Sequence, residues 1–130
     1  MPNRSAESDE TIHEQLKAIN QRGGFIATVV TDGDGLPLVI ASQTESSDLA
    51  EMLAAVAPLV QRMVKRSNER AGLSEANEVI INNDDGSRLI CRFFTVGQQA
   101  LILACVVPDQ VAYRRVMNDA ISAVSKLWSN

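Results

Sequence analysis

The sequence has one His, one Trp, one Tyr, three Phe and two Cys among 130 residues. Each shortage excludes something. A single imidazole cannot complete a structural zinc site from one chain. It also leaves every Ser or Cys with at most one base, so no nucleophile–base pair is in view. Aromatic residues, at 4%, are too few for a surface that stacks single-stranded bases. Cations are outnumbered, with 12 Lys and Arg against 16 Asp and Glu, for a net charge of −4. A broad basic face for duplex DNA is therefore not expected. No apolar run approaches the roughly 18 residues of a membrane span. The longest, Ala100 to Val107, has the length of a strand. Met1 to Glu10 is polar and acidic, without the apolar stretch of a signal peptide. These absences lead us to expect a cytoplasmic protein with no cofactor, no metal, no nucleic acid and no membrane partner.

What is present is an ordinary globular share of apolar residues, 45%, with 22% charged. That is enough for one domain with its own core. Residues 1–7 read as a flexible N-terminus and 8–130 as the domain. Ser8 is placed to cap a first helix with Ile12, Leu16 and Ile19 on one stripe, stopped at Gly23-Gly24. Phe25 to Thr31 and Leu36 to Ser42 flank Asp32-Gly33-Asp34-Gly35, which predicts a hairpin. Pro37 cannot donate to a ladder, so the second strand belongs at a sheet edge. Asp48 to Ala71 predicts a long helix with Asp48 and Glu51 at its start and Gly72 at its stop. Pro58 inside it predicts a kink. Three strands follow: Asn77 to Asn83, Arg88 to Val96, and Ala100 to Val107. Pro108-Asp109 opens a last helix with Ala112, Val116, Ala120, Val124 and Leu127 on one stripe.

The expected fold class is α+β, in the order α-ββ-α-βββ-α. The fifth strand is apolar throughout and belongs at the centre of a five-stranded antiparallel sheet. With Pro37 on one edge, the order 2-1-5-4-3 satisfies both conditions. It leaves Val79, Ile80 and Ile81 on the other edge with no Pro, Lys or bulge to protect them. The apolar arc of the long helix spans roughly 160°, where a helix docked on one sheet needs about 100°. Either the helix sinks deeply into its own core, or the excess flank of Met52, Leu59 and Met63 covers a second surface. The unguarded strand favours the second. A symmetric homodimer through the third strand and second helix is therefore expected. Its candidate interface residues are Met52, Leu59, Met63, Arg66, Val79, Ile80 and Ile81.

Chemical motifs are near misses. His13-Glu14-Gln15-Leu16-Lys17 has Lys17 where a zinc-protease helix needs a second His. Asp32-Gly33-Asp34-Gly35 begins like a calcium loop, but Leu36 stands at the fifth position and no Glu at the twelfth. Cys91 and Cys105 lie on consecutive strands, and one residue of register decides whether they pair or face apart. Both are expected to be core thiols. Tyr113-Arg114-Arg115 is a small basic spot, expected to be solvated surface or else a rim contact for an acidic partner.

The run Gly24-Phe25-Ile26-Ala27-Thr28-Val29-Val30, then Asp32-Gly33-Asp34-Gly35-Leu36-Pro37-Leu38-Val39-Ile40-Ala41-Ser42, resembles the opening hairpin of the Roadblock family. The long helix, the turns at Asp85-Gly86 and Gly97, and Pro108-Asp109 continue the likeness from about Glu10 to Trp128. The resemblance implies a Roadblock/profilin-like fold and a homodimer with one continuous sheet. It implies a chain that is not an enzyme. Members serve as dynein light chains, as scaffolds, and in bacteria as partners or GTPase-activating regulators of small Ras-like GTPases. The expected function is thus that of a homodimeric partner or regulator of such a GTPase. The alternatives are a scaffold or adaptor without a GTPase, or a small-ligand sensor. Arg62, Arg66 and Arg70 on the long helix are the arginines available to a GTPase, and nothing singles one out.

Overall fold

The computed structural model describes residues 6–42 and 48–129. Its elements are α1 (Ala6–Gly23), β1 (Ala27–Asp32), β2 (Pro37–Ser42), α2 (Asp48–Ala71), β3 (Glu78–Asn82), β4 (Arg88–Val96), β5 (Gln99–Val107) and α3 (Arg114–Trp128). All strand pairs are antiparallel, in the order β2-β1-β5-β4-β3. The apolar run of β5 is central, and Leu101 to Cys105 are fully buried. Pro37 heads the edge strand β2. The register slips there between Val30 and Thr31, next to the residue that cannot donate.

Alternation along the strands divides two cores. On one face, α1 and α3 pack against Val30, Ile90, Leu101, Leu103, Cys105 and Val107, using Ile12, Leu16, Met117 and Trp128. On the other, α2 covers Val29, Ile102 and Ala104 with Leu53, Ala54 and Ala57. The α2 helix lies over β1, β2 and β5. It leaves Val79, Leu89 and Phe93, at the β3–β4 side of the same face, only half buried.

Three expectations need correction. The first helix begins at Ala6, so Ala6 and Glu7 are helical and Ser8 lies inside α1 rather than capping it. Glu7 and Glu10 near its positive end and the Thr11 hydroxyl donating to the Glu7 carbonyl at 3.0 Å suit that earlier start. The rest of the expected flexible terminus, residues 1–5, lies outside the described residues.

The last helix begins at Arg114, not at Pro108-Asp109. Gln110 takes a left-handed φ of 63°, which a helix cannot contain, and the Arg88 guanidinium donates to the carbonyls of Pro108 and Val111. The buried stripe of α3 is Met117, Ala120, Val124 and Trp128. Ala112 is exposed, and Val116 and Leu127 sit at the border of the core. The basic spot is also different: Tyr113 is buried, and the guanidinium groups of Arg88 and Arg114 each lie 5.4 Å from its ring centre.

The third correction concerns the outward side of α2. The helix runs from Asp48 to Ala71 with Pro58 inside it, as expected, and its buried residues are Ala50, Leu53, Ala54, Ala57 and Pro58. At about 100° per residue, Met52, Leu59 and Met63 lie opposite that buried set rather than on its flank. They face outward.

Candidate functional site

Small residues on the inner side of α2 let its N-terminal half sit close to the sheet. After Pro58 no residue of α2 is buried. The segment from Leu59 to Ala71 is about 20 Å of helix with little core of its own. A groove of about 440 Å³ separates Gln61, Val64 and Lys65 from Phe93, Thr95 and Ala100. On the outward side, Met63 is 71% exposed, Met52 57% and Leu59 53%. Arg62, Arg66 and Arg70 stand beside Leu59 and Met63 around a shallow depression. Isolated exposed apolar residues are ordinary; three large ones on one stripe are a patch.

The β3 edge is the second part of the surface. Ile80 and Ile81 are each 37% exposed and Val79 is half buried. Among the described residues no strand pairs with the outer side of β3. The seven residues singled out from the sequence therefore fall into two groups, Met52, Leu59, Met63 and Arg66 on α2 and Val79, Ile80 and Ile81 on β3. All lie outside the two buried cores.

Sequence reading missed a polar cluster next to that edge. Glu78, first residue of β3, lies 3.9 Å from Arg92 Nε and 3.6 Å from Arg114 Nη1. Arg92 also donates to Asn118 Oδ1 at 2.9 Å. Only the parity of Glu78 against Arg92 was readable in advance. The arrival of Arg114 and Asn118 depends on where α3 begins.

The remaining candidates take structural roles. Asp32 Oδ1 accepts the backbone N–H groups of Asp34 at 2.9 Å and Leu36 at 3.0 Å, which closes the hairpin turn. Asp85 Oδ1 accepts from Ser87, and these hydrogen bonds hold its carboxyl below the ordinary value. His13 is exposed on α1, 4.0 Å from Glu14. Cys105 opposes Ile90 and Cys91 opposes Ala104, so the two thiols lie on opposite faces of the sheet. Burial pushes the Cys91 thiol up to about 11 and Cys105 further still. Among the described residues no group of three or more His, Cys, Asp or Glu could hold a metal ion, and no helix is long and apolar enough to cross a membrane.

Compared by sequence, the chain matches no family model and no curated protein. Compared by structure, it is similar to MglB of Myxococcus xanthus, with a TM-score of 0.77 at 15% identity over 95% of this chain and 92% of that one. It is similar to an MglB described as having a tetrameric arrangement, with a TM-score of 0.79 at 14% identity over 98% and 94% of the two chains. It is also similar to a Roadblock/LC7 domain from Streptomyces avermitilis, with a TM-score of 0.70 at 17% identity over 88% and 92%. The strand order, the three helices and these likenesses agree: the chain has the Roadblock/LC7 fold, in the form that MglB also takes.

Proposed function

We propose that the chain works as a homodimer, joined through β3 and α2, and that the dimer binds and regulates a small Ras-like GTPase without itself being an enzyme. The observation that carries the reading is the outward apolar stripe of Met52, Leu59 and Met63 on a helix that has no buried residue after Pro58. These side chains are a half to seven-tenths exposed, so covering one is worth about 1–2 kcal/mol. Those that a second copy covers offset part of an association cost of roughly 4–15 kcal/mol. The unpaired edge of β3 adds main-chain hydrogen bonds to that sum.

The GTPase enters through the resemblance to the Roadblock family, whose bacterial members include partners and regulators of such proteins. The MglB described as tetrameric supports self-association as a property of this fold. Arg62, Arg66 and Arg70 beside the apolar stripe suit an acidic partner surface. The test is sedimentation of the purified chain, then titration of the dimer against a small Ras-like GTPase from the same genome, loaded with GDP or with a GTP analogue. Binding to one nucleotide state supports regulation. A dimer that ignores both states leaves an adaptor.

A further inference from the structure

We propose that two copies of the chain join edge to edge through β3 in one register, with Ile80 opposite Ile80 of the second copy on the two-fold axis. This rests on the homodimer reading above and specifies its interface. The argument begins with the phase of the β3–β4 ladder. Glu78 to Asn82 oppose Arg92 to Arg88 in unbroken register. Just beyond the strand ends, Phe93 N–H donates to the Asn77 carbonyl at 2.9 Å and Asn83 N–H to the Ser87 carbonyl at 2.9 Å. In an antiparallel pair, residues that exchange hydrogen bonds alternate with residues that do not. Asn77, Val79, Ile81 and Asn83 therefore turn their main-chain groups toward β4. Glu78, Ile80 and Asn82 turn theirs toward the open edge.

Symmetry narrows the choices. A two-fold axis normal to the sheet makes the two β3 strands antiparallel and keeps both α2 helices on one face. Such an axis keeps every side chain on its own face, so an even-numbered residue can oppose only an even-numbered one. With the axis at Ile80, Glu78 opposes Asn82 and Ile80 opposes itself. All the open donors and acceptors of the strand are then used, in about six hydrogen bonds.

The side chains agree with that register. On the α2 face Val79 opposes Ile81, and the two copies form one apolar patch. On the other face the Asn82 amide of the second copy comes opposite Glu78. Glu78 Oε1 is buried and without a hydrogen bond in the single chain, and an amide N–H is the donor it lacks. Moving the axis to Val79 sets Glu78 against Ile80 and leaves Asn82 outside the paired strand. Moving it to Ile81 sets Glu78 against Asp84, two like charges.

The test uses single cysteines in the full chain, since Cys91 and Cys105 are buried. Residues opposed in a hydrogen-bonded pair have Cα atoms about 5.5 Å apart, within disulfide reach. Under mild oxidation Ile80→Cys is expected to cross-link to itself. Val79→Cys and Ile81→Cys are expected to cross-link when mixed and much less alone. Ile80→Pro removes an N–H that β4 does not use, and is expected to raise the dimer dissociation constant by roughly a hundredfold. Self-cross-linking of Val79→Cys or Ile81→Cys faster than Ile80→Cys overturns the register. So does a wild-type dimer in which none of the three cross-links. A wild-type chain that sediments as a monomer at micromolar concentration removes the homodimer reading itself.

Discussion

Gly35 and Pro58 are packed against each other where the β1–β2 turn meets α2. A methyl group on Gly35 would lie 3.3 Å from Pro58 Cγ and 3.4 Å from the Ala54 carbonyl oxygen. Pro58 has no N–H to give that carbonyl, four residues back in the helix. The proline predicted to disturb α2 thus sits on its buried side, where the turn approaches most closely, and Gly35 holds a φ of 90° to allow it. Gly35→Ala is expected to cost about 1–2 kcal/mol, from the left-handed backbone and the close contact together. Gly33→Ala, with nothing within 4 Å, is expected to cost less than about 0.5 kcal/mol. Urea denaturation with unchanged slope checks both.

A second prediction concerns Asn20, buried between α1, β1 and β2. Its Nδ2 donates to the Ala41 carbonyl at 2.9 Å, and its Oδ1 accepts from the Thr28 hydroxyl. Asn20→Ala removes both bonds at a buried site, which is expected to cost at least about 2 kcal/mol. Thr28→Val removes only one of the two bonds and is expected to cost less. Thermal unfolding of the two variants and their double mutant checks the coupling.

Arg88 ties β4 to the loop before α3 through the Pro108 and Val111 carbonyls. Arg88→Met keeps the stem but removes those donors and the cation over Tyr113. The expected loss is about 2–3 kcal/mol. Amide exchange should quicken in the 108–113 loop and the first turn of α3 before it quickens in β5.

The buried thiols set a pH dependence. Cys91 is raised from 9.0 to about 11 by burial, and Cys105 is raised further. In the unfolded chain both ionise near the ordinary value, while the folded chain holds them protonated. The stability they contribute is therefore fully present below pH 9 and is lost as pH climbs from about 9 through 11. The melting temperature should fall across that window. Cys91→Ala combined with Cys105→Ala should flatten the fall while lowering the plateau, since each removes packed core volume.

Much of this fold was legible in residues. Pro37 fixed an edge, the apolar run of β5 fixed the centre, and the Asp-Gly turns fixed the hairpins, so the strand order follows from them. The exposure of Met52, Leu59, Met63, Ile80 and Ile81 was legible for the same reason: an apolar residue that a strand edge or helix stripe cannot use stands out against a period of 2 or 3.6. The start of α3 was not legible. Pro108-Asp109 has the chemistry of a helix start, and what overrules it is Arg88, 20 residues away in sequence, taking the Pro108 carbonyl.

The sequence by itself determined the order of elements, the two faces of the sheet and the presence of surplus apolar surface, because those depend on local periodicity and on what Pro and Gly permit. Only the tertiary structure decided which side of α2 is inward. Ala54, Ala57 and Pro58 are poor markers of a core by composition, yet they allow the close approach to Val29 and the β1–β2 turn that larger residues would prevent. That contact turns Met52, Leu59 and Met63 away from the sheet, and burial depends on such a choice of neighbours rather than on the hydrophobicity of any one residue.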